Sequence, residues 1–374
     1  MKKIKVFEAF AGIGAQSVAL KNIGVDFEIV GISEWFIRAL ICYDAINGKG
    51  KVSIPKSRDE ILKYLNQFTF SYDSNSEYKR LNRLSDDTLR KLYKAHVRSK
   101  NLGSITEINP EDMPDMDLLI YSFPCQDLST GGKTLGMTKG SGTRSGLLWE
   151  IERILIGLNK LNKLPEYLLM ENVKTIFSDS NKKDLDEWRK FLTDLGYSNT
   201  EMVLDSYNFG VPQSRKRAFI ISHRGEKIDA SSLINRKREG GYNIKKFIFN
   251  DYSKDVYRME ASEAQLNRTP SREIMWNTNQ RRVIDNHTII NTITCNMDRR
   301  NNAGMFLYDG PKGKTYRLLT IREAFLMMGF STKDYLSARS TGFSYRQLNK
   351  LIGNSIVVSV LEEIFSLLFN NRGE

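Results

Sequence analysis

Residues 3–24 read KIKVFEAFAGIGAQSVALKNIG. A short apolar run, a turn carrying Gly12 and Gly14, and then apolar residues at helical spacing predict a strand, a tight turn and a helix. Glycine at such a turn lets the backbone approach a ligand closely. A second apolar run, FEIVGISEW at 27–35, ends on Glu34 and Trp35. A carboxylate that far beyond the turn accepts hydrogen bonds from ribose hydroxyls, and an indole beside it stacks on a purine.

Three further strands are expected: MDLLIYSFPC (116–125), PEYLLMENV (165–173) and RAFIIS (217–222). Amphipathic helical patterns lie between them, such as GLLWEIERILIGL (146–158) and DLDEWRKFLTDLG (184–196). Strands alternating with helices predict an α/β fold, a Rossmann-like parallel sheet covered on both faces. The glycine turn lacks the third glycine of a pyrophosphate-binding loop. That favours a cofactor with adenosine but no phosphates, and S-adenosylmethionine fits.

The chain has 374 residues, 40% of them hydrophobic and 27% charged, which is enough for two domains and a sizeable core. No uninterrupted apolar stretch approaches the roughly 18 residues of a membrane span, and no export signal is read. Cys42, Cys125 and Cys295 lie far apart, and the three histidines are isolated. Neither a disulfide framework nor a metal site is expected, and a reducing cytoplasm fits. A net charge of +12 points to a polyanionic partner. Residues 44–100 are polar and of mixed charge, an insertion after the second strand that covers the sheet or meets the partner. Residues 224–300 are basic, rich in Asn and Arg and interleaved with aromatics, as in a small domain facing a polyanion.

Cys125 ends the third strand at the carboxyl edge, where open α/β sheets bind their ligands. Pro124 stiffens the turn before it. Glu171 of ENV (171–173) ends another strand at the same edge. Arg215 and Arg217 of QSRKRAF (213–219) are spaced to share one strand face. A thiol, a carboxyl and two guanidiniums are thus expected above one sheet, and the cations favour the thiolate. The loop 127–146 has six glycines with Lys133, Lys139 and Arg144, a basic segment suited to closing over a substrate.

In order, FEAFAGIG, SEW, SFPCQDLS, GTRSGLLWEIER, LLMENV, NFGVPQSRKRAFII and LIGNSIVVSVLEEIF resemble the cytosine-C5 DNA methyltransferases, especially a bacterial or phage branch that includes CG-methylating enzymes. The resemblance implies that Cys125 attacks C6 of cytosine, that Glu171 binds the N3 edge, and that Arg215 and Arg217 stabilise the activated base and the thiolate. It implies a cofactor pocket of Phe10, Ala11, Gly12, Ile13, Gly14, Glu34, Trp35, Ile105, Pro124, Leu147, Asn354, Ser355 and Ile356. Ser104 stands where the family has an acidic residue near the adenine. The cofactor is S-adenosyl-L-methionine, the product S-adenosyl-L-homocysteine, and no metal is used. The cytosine is flipped out of the duplex to reach the pocket.

Double-stranded DNA is the expected partner, contacted through Gln126, Ser129, Lys133, Arg144, Arg281, Arg282, Arg299 and Arg300. A cognate restriction endonuclease is a further possible partner, no membrane is involved, and the chain is expected to be a monomer. The expected layout is a catalytic and cofactor-binding domain over 1–222, a small, mostly β or irregular target-recognition domain over 223–323, and a hinge with a C-terminal helix returning over 324–374. The alternatives are the tRNA-methylating branch, a catalytically silent DNA-binding relative and a nicotinamide-dependent dehydrogenase. TITC at 292–295 sits closer to the DNA enzymes than to the tRNA branch. The recognition sequence is not legible from these residues.

Overall fold

The computed structural model describes residues 3–124, 128, 137–139, 145–266, 269–278, 289–297, 304–310 and 313–369. Its strands are β1 (Ile4–Ala9), β2 (Phe27–Ser33), β3 (Leu118–Tyr121), β4 (Tyr167–Val173), β5 (Ser198–Asp205), β6 (Gln213–Ser214), β7 (Lys216–His223), β8 (Ile290–Asn291), β9 (Phe306–Gly310) and β10 (Gly313–Arg317). The helices over the first half are α1 (Ala15–Asn22), α2 (Ile37–Asn47), α3 (Arg58–Leu65), α4 (Asp86–Arg98), α5 (Leu148–Lys160) and α6 (Lys182–Asp194). After them come α7 (Ser231–Ile234), α8 (Asp255–Glu263), α9 (Pro270–Thr278), α10 (Ile321–Met327), α11 (Thr332–Arg339), α12 (Tyr345–Gly353) and α13 (Val358–Phe369). The chain divides into two compact units. One holds Met1–Leu204, Lys216–Asn235 and Ser366–Glu374; the other holds Asp205–Arg215 and Arg236–Phe365.

The first unit is built on a six-stranded sheet of order β2-β1-β3-β4-β7-β5. β1 pairs in parallel with β2 and β3, and β3 with β4. Four carboxyl ends therefore meet at one edge. Both faces are buried, so the strands read as continuous apolar runs. Phe7, Leu119, Tyr121 and Leu168 face α5 and α6, where Trp149 and Trp188 pack edge-on at a centroid distance of 6.3 Å. α5 buries Leu148, Ile151, Leu155 and Leu158, one stripe at helical spacing.

Two features differ from the sequence expectation. RAFIIS lies in β7, which runs antiparallel to β4, with Tyr167 opposite His223 and Val173 opposite Arg217. It is reached from β5 through residues 206–215 with no crossover helix, and a parallel return needs a longer connection. β5 was not anticipated at all. Its SNTEMVLD sequence buries only alternate residues, Thr200, Met202 and Leu204, so it lacks the apolar run that marks the other strands.

The insertion folds as α4 against α2, with α3 packed on α4. Its end closes the free edge of β2 through Leu102 N–H to Ile32 O, 2.9 Å, which removes an unpaired strand edge.

The second unit mixes short helices with an antiparallel β9–β10 ribbon. Its core holds a bidentate pair in which Arg317 donates to both oxygens of Glu323 at 2.8 Å, and Arg317 also donates to Tyr252. The helical stretch Tyr345–Phe369 is long and apolar enough to cross a membrane, but its most apolar part is 67% buried, as in a core helix.

Candidate active site at the carboxyl edge

The glycine turn between β1 and α1 holds three left-handed residues: Phe10 at φ 56°, Gly12 at 59° and Gly14 at 77°. A phenylalanine there is strained, a state that persists where surrounding structure holds it and that clusters at ligand sites. The two glycines serve different ends. A Cβ on Gly12 meets nothing nearer than Phe10 O at 4.0 Å, so Gly12 leaves open space. A Cβ on Gly14 falls 2.3 Å from Asn47 Nδ2 and 2.7 Å from Tyr43. Gly14 therefore packs its Cα closely against α2, where no side chain would fit. Ala11 and Ile13 are buried between them.

Glu34 follows the end of β2 beside this turn. One carboxylate oxygen accepts Gly12 N–H and the other Phe36 N–H, both at 2.8 Å. Burial pushes its carboxyl up to about 7, against the pull of these amides. Trp35 next to it is half-buried. Ser104 lies under 10% exposed and shares a hydrogen bond with Thr106 Oγ1 at 2.9 Å; Ile105 is buried beside it. Open space above Gly12, a carboxylate hung from the same turn and a half-open indole suit an adenosine with its ribose hydroxyls. The residues of this unit fit S-adenosylmethionine.

Further along the same edge, Glu171 near the end of β4 is 6% exposed. It accepts a hydrogen bond from Ser122 Oγ and pairs with Arg217 Nε at 3.3 Å. Asn172 Nδ2 donates to Phe123 O at 3.1 Å, and Ser145 Oγ to Pro124 O at 2.9 Å. The backbone up to Pro124 is thus held from two sides. Leu147, half-buried, packs on the core beside α5. Within the glycine-rich loop, Leu128 O accepts Thr175 Oγ1 at 2.6 Å, and Met137 O accepts Trp149 Nε1 at 2.7 Å. Lys139 is engaged by Glu152 and lies over Trp149, so its charge is already matched.

Arg215 and Arg217 do not share a strand face. The ladder breaks between β6 and β7, and Arg215 sits in the break. Within the second unit its guanidinium, 4% exposed, donates to Ile293 O (2.8 Å), Gly353 O (3.2 Å) and Ser355 O (2.9 Å). Those carbonyls flank Asn354, which is exposed; Ser355 is half-buried and Ile356 buried. Gln213 fixes the same stretch, accepting Ile293 N–H at 2.9 Å and donating to Met327 O at 2.8 Å. Arg215 therefore binds backbone, and Arg217 pairs with the carboxylate. Cys125, Gln126, Ser129, Lys133, Arg144, Arg281, Arg282, Arg299 and Arg300 lie outside the described residues. Among the described residues no cluster of three His, Cys, Asp or Glu side chains is arranged to hold a metal. Sequence reasoning passed over Ser122, Gln213 and Asn101; the first two stand inside quoted motifs, and Asn101 carries no sequence signal.

Comparison with known proteins agrees with this arrangement. Residues 79–370 match the family described as C-5 cytosine-specific DNA methylase. The chain is 36% identical over 392 residues to the orphan methyltransferase M.SssI of Spiroplasma monobiae, covering 97% of this chain and 96% of that protein. It is 34% identical to the type II methyltransferase M2.ScrFI of Lactococcus lactis subsp. cremoris, over 99% and 100% of the two chains. Among solved structures, the S. pombe Dnmt2 methyltransferase matches with a TM-score of 0.60 at 20% identity, over the whole of both chains. The Entamoeba histolytica methyltransferase EhMeth matches with a TM-score of 0.65 at 15% identity, also over both whole chains. These two likenesses speak for the fold alone. The sequence match and the edge on which the glycine turn, Glu34 and Glu171 meet lead to one conclusion: the chain belongs to the C-5 cytosine-specific DNA methylase family and is a DNA cytosine-C5 methyltransferase.

Proposed function

We propose that the chain methylates C5 of a cytosine flipped out of duplex DNA, using S-adenosylmethionine and a transient bond between Cys125 and C6. The observation that carries this reading is the buried Glu171, held by Ser122 and Arg217 at the edge that also presents Gly12 and Glu34. Cytosine C5 is a weak nucleophile, and the residues answer that problem. The Cys125 thiolate adds to C6, and the ring electrons move toward C5 and N3. Glu171 takes up a proton as the base is seated, meets the N3 edge and donates that proton as sulfur adds, so that negative charge does not accumulate on the ring. Arg217 and Ser122 fix the carboxyl for that role. Bound against Gly12, Glu34 and Trp35, S-adenosylmethionine supplies the electrophilic methyl group that C5 takes up, leaving S-adenosylhomocysteine. Loss of the C5 proton to a base then expels the Cys125 thiolate, and N3 returns its proton to Glu171.

The base edge is stacked inside a duplex, so the target nucleotide leaves the helix to be reached. The charge of +12 supplies a sequence-independent attraction to phosphates. Arg215 is assigned to holding the backbone around Ile293 and Asn354, not to the base. The basic residues Lys133, Arg144, Arg281, Arg282, Arg299 and Arg300, with Gln126 and Ser129, are proposed DNA contacts. The layout of 1–222, 223–323 and 324–374 as catalytic, target-reading and returning segments is proposed with them, as are a monomeric state and a cytoplasmic location.

A duplex carrying 5-fluorocytosine tests the covalent step, because its C5 has no proton to lose. With S-adenosylmethionine present, the wild-type protein is expected to stay joined to this DNA through denaturing electrophoresis, and Cys125→Ala to run free. A joined Cys125→Ala variant would refute the assignment. An adduct formed with tRNA but not with DNA would move the substrate to RNA.

A further inference from the structure

The insertion returns to the sheet at Asn101, a 4% exposed side chain outside every motif read from the sequence. Its Oδ1 accepts Glu34 N–H at 2.9 Å and Gly103 N–H at 3.2 Å, and its Nδ2 donates to Glu34 O at 2.9 Å. One amide thus satisfies both backbone groups of Glu34, as a neighbouring strand does for a residue inside a sheet. Glu34 lies just past the end of β2, the edge strand, where no such strand stands among the described residues.

The anchoring continues from both ends of the insertion. At its start, Asn47 Nδ2 donates to Ile13 O at 3.1 Å, and the ring of Tyr43, just ahead of it, closes on Gly14. At its end, Arg98 grips Asp44 of α2 through two bonds of 2.5 and 2.6 Å. His96 is packed among Tyr64, Phe68 and Phe70, with Nδ1 at 3.2 Å from Tyr64 Oη, and its carbonyl accepts Asn101 N–H at 3.0 Å. The inserted helices therefore form a small aromatic core whose two ends hold the two halves of the glycine-turn site.

We propose that Asn101 is a positioning residue for cofactor binding and that the insertion serves as a brace fixing Glu34 against the glycine turn. The inference rests on the assignment of Glu34 to the cofactor. The Glu34 carboxylate reaches Gly12 and Phe36 only while its backbone is fixed, and Asn101 supplies that constraint without touching the ligand. Its loss should change how tightly the cofactor is held and leave the chemistry on cytosine alone.

The test is calorimetric binding of S-adenosylhomocysteine to wild type, Asn101→Ala and Asn101→Asp, with KM for cofactor, KM for DNA and kcat measured on each. Removing three buried hydrogen bonds is expected to weaken binding about tenfold or more in Asn101→Ala. Asn101→Asp keeps the two acceptor bonds and should fall between Asn101→Ala and wild type. KM for the cofactor should rise in the same order, with kcat at saturating cofactor and KM for DNA within about threefold. Should Asn101→Ala fail to fold, the comparison of Asn101→Asp with wild type decides. Unchanged affinity, or a rise in KM for DNA equal to that for cofactor, overturns the inference. Wild-type protein that binds no S-adenosylhomocysteine overturns instead the cofactor assignment on which it rests.

Discussion

Glu171 shares its carboxylate between a serine hydroxyl and the Arg217 guanidinium, with both charged groups largely out of water. Truncating the cation strands a buried charge, which costs about 3 kcal/mol or more when geometry is otherwise intact. Arg217→Ala is therefore expected to lower unfolding free energy in urea by that order and to reduce kcat at least about a hundredfold. A variant with wild-type stability and kcat would show that the pair does neither job. Lysine should rescue poorly, because it lacks the planar fork. The two glycines of the turn should separate in the same way. Gly14→Ala meets Asn47 and Tyr43 and should cost about 2 kcal/mol or more of stability, while Gly12→Ala carries only the φ strain of roughly 1–2 kcal/mol. Gly12→Ala should instead lose S-adenosylhomocysteine binding, measured by thermal shift; equal effects at both positions would contradict this division. Sequence showed that both glycines matter but not why, since only the fold reveals that α2 fills the space beside Gly14. Arg215 misled for a related reason. Period-two spacing assumes an unbroken strand, and the ladder is broken at that residue.

Among the elements, β1, α1 and α2 are tied by one buried carboxyl. Glu8 is fully buried; it accepts Ser17 Oγ at 2.7 Å, and Ser17 lies 3.1 Å from Tyr43 Oη. Burial pushes Glu8 from 4.5 up to about 7, as it does Glu34. Both carboxyls bind their proton more tightly folded than unfolded, so the unfolded chain releases protons first as pH rises. Stability should therefore fall between about pH 4.5 and pH 7 and level off above. One such carboxyl contributes on the order of 3 kcal/mol to that fall. Urea unfolding at pH 5 and pH 8 checks it: Glu8→Gln should lose part of the wild-type drop, and an identical drop would contradict the burial argument. The apolar strands were legible as elements because both faces of the sheet are covered. The direction of β7 was not, because it depends on the length and character of the connection through residues 206–215. β5 was missed because a half-buried strand alternates and leaves no apolar run.

Over the whole molecule, charge and motif order spoke for a nucleic-acid methyltransferase, and the family match over residues 79–370 agrees. The sequence did not reveal the brace built by the insertion, since Asn101 makes its contacts only once β2 has an open edge to complete. The net charge of +12 predicts strongly salt-dependent DNA binding. Affinity for a duplex should fall by about a thousandfold or more between 50 and 200 mM salt if six or more phosphates are contacted. A salt-insensitive affinity would place the basic segments away from the phosphates. The most direct test of the central claim is methyl transfer from labelled S-adenosylmethionine to unmethylated duplex DNA, with bisulfite sequencing of the product and tRNA as a parallel substrate. The account predicts label at cytosine C5 within one short DNA sequence for the wild type and none for Cys125→Ala. Label confined to tRNA, or DNA label that persists in Cys125→Ala, would contradict it.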